Sequence, residues 1–159
     1  MNLFLNTITL LIAFLFMEFT AWFTHRYIMH GFLWVLHKDH HTREHQPFEW
    51  NDLFALIFAI PSFLLIYTGA SNGFDLKFYL GIGIAAYGLG YFIFHDALVH
   101  RRINIFDKTQ NRFLKAVYSA HVDHHRGKKN YGFLFIFPPR YFKPENQYEL
   151  YSVSYGPPR

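Results

Sequence analysis

Three long stretches of this chain are almost free of charge. From Leu3 to Thr24 the only charged residue is Glu18, while Leu53 to Thr68 and Phe78 to Phe94 carry none. A helix of ~20 residues crosses the hydrocarbon core of a bilayer, so the pattern predicts three membrane spans, at about 2–24, 52–70 and 77–97. Ser71, Asn72 and Gly73 read as a turn joining the second and third spans into an antiparallel hairpin. Pro61 lies inside the second span and is expected to kink it, which membrane helices tolerate. Residues 112–125, with cationic residues early and histidines late, read as a helix lying at the interface, and Tyr131 to Pro139 is apolar yet too short to span. That last stretch is expected to dip toward the headgroups or to cover a site. Beyond about residue 140 the prolines predict an irregular tail.

Charge orients these elements. Of the fifteen Lys and Arg, Lys77 alone lies in the 70–77 connection; Arg26, Lys38 and Arg43 follow the first span, and eleven lie from Arg101 onward. The positive-inside rule then places 25–51 and the last 60 residues in the cytoplasm. The net charge of +4 is accounted for by this topology and by anionic headgroups, with no call for nucleic acid. The first 24 residues lack a charged n-region and a small-residue cleavage site, so they are expected to be a retained span. The whole chain reads as one membrane-embedded domain, in a bacterial inner membrane. With no cysteine, thiolate-bound clusters and disulfides are excluded.

Ten of the eleven histidines stand at the ends of the apolar runs, in a pattern that occurs twice. His25 and His30 enclose four residues and are followed by His37, His40 and His41; His95 and His100 again enclose four and are followed by His121, His124 and His125. His45 alone stands outside the pattern. Imidazole is a common ligand for transition metals, and ten exceed the needs of one ion, so a two-metal site is the simplest reading. The triplets, at i, i+3 and i+4, share a helix face. The pairs, at i, i+5, lie roughly 140° apart on an ideal helix and about 7.5 Å along it. Such a pair needs a local distortion to converge on one ion. Asp39, Asp96 and Asp123 are candidates to orient the imidazoles by accepting their second N–H. Glu18, inside an apolar span, is a functional candidate by position, as a partner to the site or as a polar contact between helices. Asn51 and Asp52 could cap the second span or hold a ligand, with capping favoured. The expected fold class is therefore an all-α integral membrane protein of three or four transmembrane helices, capped on its cytoplasmic side by a histidine-rich di-metal centre.

The local sequences HRYIMHG, HKDHH, WNDLFA, AYGLGYFIFHDALVHRR, AHVDHH and YGFLF resemble those of the fatty acid hydroxylase/sterol desaturase superfamily. Within it they are most similar to the bacterial β-carotene 3-hydroxylases, over about Met17 to Phe137. The resemblance implies two non-haem iron ions held by His25, His30, His37, His40, His41, His95, His100, His121, His124 and His125. It also implies O2 as co-substrate and hydroxylation at carbon 3 of each β-ionone ring, converting β-carotene through β-cryptoxanthin to zeaxanthin. A ferredoxin-like donor is implied too, for which the basic residues Arg101, Arg102, Lys128 and Lys129 offer a surface. A carotenoid ketolase or a lipid hydroxylase or desaturase shares the histidine boxes. A histidine-rich metal transporter is a distant alternative, since transport sites lie near the bilayer midplane. The small residues of the third span, Gly81, Gly83, Ala85, Ala86, Gly88 and Gly90, favour close helix packing or shape a groove for a slender polyene, with packing preferred.

Overall fold

The computed structural model of the protein describes residues 2–42, 48–103, 105–106 and 109–152. His45 and the end of the tail lie outside the described residues. The described chain is helical, with no strand. Helix α1 (Leu3–Phe23) is started by Asn2, whose side chain accepts from the Phe4 N–H, and runs into a π-helical segment, Thr24–Phe32. Helix α2 (Trp34–Thr42) follows. After a single turn at Trp50–Asp52, α3 (Leu53–Ser71) passes through Pro61 without a break. Helix α4 (Leu76–Tyr91), capped by Asp75, also ends in a π-helical segment, Phe92–Val99. Helix α5 (Arg112–His125) starts at Asn111, whose side chain accepts from the Phe113 and Leu114 N–H groups.

Three continuous helical stretches, Leu3–Phe32, Trp50–Ser71 and Leu76–Val99, are long and apolar enough to cross a membrane. Their outward faces are built of exposed large apolar residues such as Ile12, Leu15, Phe16 and Phe19 on α1 and Ile57, Ile60 and Phe63 on α3. In water such rows would be costly; in lipid they are the expected surface. Helix α4 packs along both α1 and α3. Two glycines make this possible. A Cβ on Gly83 would strike the Leu10 carbonyl and Ala13 of α1, and one on Gly81 would strike Ile66 and the Ser62 carbonyl of α3. The remaining small residues of α4 do something else: Ala85 and Gly88 border open space between α1 and α3. Close packing and groove formation are therefore divided along the one helix.

Helix α5 is not laid out on a surface. It is buried from Lys115 to His125, because the tail wraps it. That tail is irregular apart from two short turns, Pro139–Phe142 and Pro144–Asn146, yet Tyr141 is only 1% exposed and packs on Ala116 and Ala120. The apolar run after Tyr131 folds inward and adds Phe133 and Leu134 to the core of Met17, Ala21 and Tyr87.

Candidate metal centre

Four short elements meet at one end of the three long helices, and each carries part of the histidine pattern. Both i, i+5 pairs lie in or at the end of π-helical winding, where the backbone bonds run i→i+5; the His100 N–H donates to the His95 carbonyl at 2.9 Å. This winding brings residues five apart onto one face, which an α-helix does not. The ring centroids end up 4.9 Å apart for His25 and His30, and 4.6 Å for His95 and His100. The distortion required by the sequence spacing is thus built into the helix ends.

The imidazoles fall into two groups. His25, His30, His37, His41 and His124 form one, and His40, His95, His100 and His121 the other, with ligand atoms within 4.8 Å of one another in each. The middle histidine of each triplet crosses over: His40 joins the second pair and His124 joins the first. Helix geometry explains this. Residues i and i+4 differ by only ~40° around the axis, whereas i+3 and i+4 differ by ~100°, so His40 and His41 diverge from the same turn. His125 lies between the groups, with its Nε2 2.9 Å from that of His121 and its ring stacked on His41.

Four of these rings have their protons placed by neighbours. His25 Nδ1 donates to the Tyr131 carbonyl at 3.0 Å, His37 Nδ1 to Asn51 at 2.6 Å, His40 Nδ1 to Glu49 at 2.7 Å and His95 Nδ1 to Asp96 at 2.9 Å. A neutral ring with a proton on Nδ1 has a lone pair on Nε2. His40 and His95 point these lone pairs at each other across 3.1 Å. His25 Nε2 is buried without any hydrogen-bond partner. Facing lone pairs repel unless a cation lies beside them. With metal–nitrogen bonds of ~2.1 Å at right angles, the edge of a coordination polyhedron is ~3.0 Å, and the Nε2–Nε2 separations here run from 2.9 to 3.3 Å. The residues fit a bound metal.

Electrostatics agree. Burial, and then the neighbouring imidazoles, hold His37, His40, His100, His121, His124 and His125 well below the usual histidine range, and burial pushes His41 down to about 3. Neutral imidazole is the form that binds metal. Arg102 reaches Asp52 at 2.9 Å, Glu49 at 3.2 Å and Asp96 at 4.0 Å. It therefore balances the charge of both carboxylates that orient His40 and His95.

The other acidic candidates are placed elsewhere. Asp39 accepts from the backbone N–H groups of His40 and Trp50, tying α2 to the start of α3. Asp123 accepts from Lys128, Tyr141 and Tyr148, tying α5 to the tail. Burial alone would raise its pKa, but these bonds hold the carboxyl below its usual range. The same slot in the two triplets thus fastens the helix to a neighbouring segment rather than touching an imidazole. Asp52 accepts from the Glu49 N–H as a cap, whereas Asn51 reaches His37. Glu18 makes a helix contact, to the Tyr87 hydroxyl at 2.7 Å, and also accepts from the backbone N–H groups of Phe133, Leu134, Phe135 and Ile136. Of the basic residues, Arg102 is engaged as above, Lys128 is paired with Asp123 and Arg101 lies over the Tyr151 ring. Glu49 and the Tyr131 carbonyl had no signal in the histidine pattern; the capping-box spacing of Glu49 and Asp52 is the one local cue.

An apolar cavity of about 500 Å³ opens between α1, α3 and α4 and ends beside the histidines, at Asn51, Tyr91, Asp96 and Phe133. With this geometry in hand, the match to known proteins is decisive: the fatty acid hydroxylase family model covers residues 10–143. The chain belongs to the fatty acid hydroxylase family. Among fatty acid hydroxylase relatives, a protein named beta-carotene hydroxylase from Pantoea ananas is 41% identical over 138 residues, 84% of this chain and 78% of that protein. One of the same name from Pseudescherichia vulneris is 40% identical over 139 residues, with the same coverage. A third, from Paracoccus sp. (strain PC1), is 38% identical over 127 residues, 77% of this chain and 78% of that protein. No solved structure matches the chain.

Proposed function

We propose that this chain is a membrane di-iron monooxygenase that hydroxylates carbon 3 of the β-ionone rings of β-carotene, giving β-cryptoxanthin and then zeaxanthin. Several relatives carry the matching name, and those from Arabidopsis thaliana and an Oncidium hybrid cultivar specify position 3. The observation that carries the reading is the pair of Nε2 lone pairs of His40 and His95, 3.1 Å apart, beside the inner end of an apolar cavity between the long helices, where Tyr91 and Asp96 line it. In each turnover a ring C–H bond becomes C–O–H with one oxygen atom of O2. The other oxygen leaves as water, with two electrons supplied by a reduced carrier and two protons by the solvent. Bound iron supplies the activation of O2 that no side chain can provide.

The protein's own part is to hold, orient and exclude. Glu49, Asn51, Asp96 and the Tyr131 carbonyl fix the tautomers of His40, His37, His95 and His25, so that the Nε2 atoms point inward unprotonated, that of His95 with the Tyr91 hydroxyl 3.4 Å away. The Tyr131–Phe137 segment closes the centre from one side and brings Phe133 onto His25, keeping water from the reacting carbon. A carotenoid dissolves in the hydrocarbon core and can slide along the apolar cavity without entering water. The excess of Lys and Arg at the histidine end supports a cytoplasmic site, reached from that face by a ferredoxin-like donor.

The test is pigment analysis of a β-carotene-accumulating bacterial host expressing the chain. New β-cryptoxanthin and zeaxanthin support the reading. Unchanged β-carotene, with the protein folded in the membrane and a ferredoxin system supplied, contradicts it.

A further inference from the structure

The cavity is long rather than round. Along α3 and the turn before it the wall runs from Asn51 to Ile66, roughly 22 Å at helical rise, and the wall is lowered by small residues: Ala55 and Ala59 on α3, Ala85 and Gly88 on α4. A Cβ on Gly88 would meet nothing within 4 Å, so the groove is open there rather than filled by packing. At its inner end stand two aromatic rings. Tyr91 stacks on His95, with centroids 4.4 Å apart, and Phe133 stacks on His25 at 4.8 Å. The two meet edge to face at 4.9 Å. Tyr91 therefore touches one histidine group, Phe133 touches both, since it also meets His95 edge to face at 5.4 Å, and the two rings border the groove on their other side, forming together the partition that a substrate carbon must pass.

Phe133 is not held by its own packing alone. Its N–H and those of the next three residues converge on the Glu18 carboxylate, at 3.3, 3.0, 2.9 and 2.9 Å. Four successive backbone donors around one anion form a nest, and the fold there is tight enough that a Cβ on Gly132 would run into the Ile136 carbonyl. An intramembrane carboxylate is costly to retain; here it fixes the height of one aromatic ring above the histidines.

Resting on the carotenoid reading above, we propose that the α1–α3–α4 groove binds one ring end of the carotenoid and its adjoining polyene, and that Phe133, positioned by Glu18, determines which ring carbon faces the metal centre. The chemistry calls for such a device. Carbon 4 of a β-ionone ring is allylic, with the weaker C–H bond, so an oxidant given free choice attacks there. Reaction at carbon 3 requires the ring to be held in one rotation, and a displacement of about 1 Å costs on the order of a hundredfold in rate.

Four variants in the β-carotene-accumulating host test this: Phe133→Ala, Phe133→Leu, Glu18→Gln and Gly88→Leu, each purified and assayed for metal content, retained pigment and products. Phe133→Ala is expected to keep its metal and to oxidise carbon 4 in a tenth or more of the reacted rings, on the order of the share expected once the positional penalty is relaxed. Phe133→Leu should restore most of the wild-type selectivity. Glu18→Gln, which replaces one acceptor oxygen by a donor facing the nest, should shift products in the same direction as Phe133→Ala. Gly88→Leu grows into open groove and should lower turnover and co-purifying carotenoid by roughly tenfold or more, with metal unchanged. Products confined to carbon 3 in Phe133→Ala and Glu18→Gln overturn the positional assignment, and normal pigment retention in Gly88→Leu overturns the groove. If the wild-type protein retains carotenoid yet oxidises none, the reaction reading fails while the groove stands; retention of none by the wild type removes the groove.

Discussion

The charge on Glu49 is the point where the metal centre is most open to a clean perturbation. Glu49 accepts from His40 Nδ1 at 2.7 Å, is almost fully enclosed and lies 3.2 Å from Arg102. Burial pushes its carboxyl above the usual range while Arg102 works against that. Glu49→Gln keeps the size, an acceptor for His40 and the ability to serve in the capping box with Asp52; it removes the charge. A charge-assisted hydrogen bond is about twice as strong as a neutral one, and losing a carboxylate behind a metal-bound imidazole costs about tenfold to a hundredfold in metal affinity, or about 1.4–2.8 kcal/mol. The loss should fall on the group of His40, His95, His100 and His121, leaving the other group intact. The assay is metal content of detergent-purified protein across a chelator titration, with Glu149→Gln as control, since Glu149 is 70% exposed and pairs with Lys115. The variant is expected to pass through a one-metal plateau at chelator levels where the wild type holds two. A titration curve superimposable on the wild type would refute the argument that His40 is oriented by Glu49 for metal binding.

Replacing His37, His41, His121 or His125 by Ala should abolish product formation while leaving membrane insertion intact; full activity in any two of the four would remove the ligand proposal. Asp123→Asn should lower the melting temperature by roughly 2–12 °C, from about 1–3 kcal/mol of lost bonding to Lys128, Tyr141 and Tyr148, with less effect on metal content than a histidine change. An unchanged melting temperature would make Asp123 a bystander. Stripping the metal should destabilise the protein, because the lone pairs of His40 and His95 then face each other unscreened, and added iron should restore it; a melting curve indifferent to chelator would contradict this. His45→Ala should behave as wild type in the pigment assay, and loss of activity would show that His45 belongs with the proposed ligands.

The long helices and the gathering of the ten histidines were legible in the sequence because both are periodic signals: uncharged runs long enough to span, and ligands repeated at helical intervals. The i, i+5 pairs announced a distortion without naming it, and π-helical winding at Thr24–Phe32 and Phe92–Val99 supplies it. The crossing of His40 and His124 between groups was beyond reach, because a shared helix face says nothing of which neighbour each ring meets. Asp96 stands beside His95 in sequence and beside it in space. Asp39 and Asp123 do not follow that example, since the C-terminal turns of α2 and α5 place backbone and tail groups nearer to them than any imidazole. Glu18 announced itself by its cost, but its four backbone donors come from more than a hundred residues away, and no local pattern foretells such a partner.

The central claim is that O2 provides the oxygen inserted at carbon 3. It is tested most directly by growing the β-carotene-accumulating host with this chain under ¹⁸O2 and analysing the carotenoids by mass spectrometry and NMR. Zeaxanthin labelled at both ring hydroxyls, each on carbon 3, is the expected product. Hydroxyl oxygen drawn from water, or a chain that is folded and metal-loaded yet yields no labelled carotenoid, would contradict it.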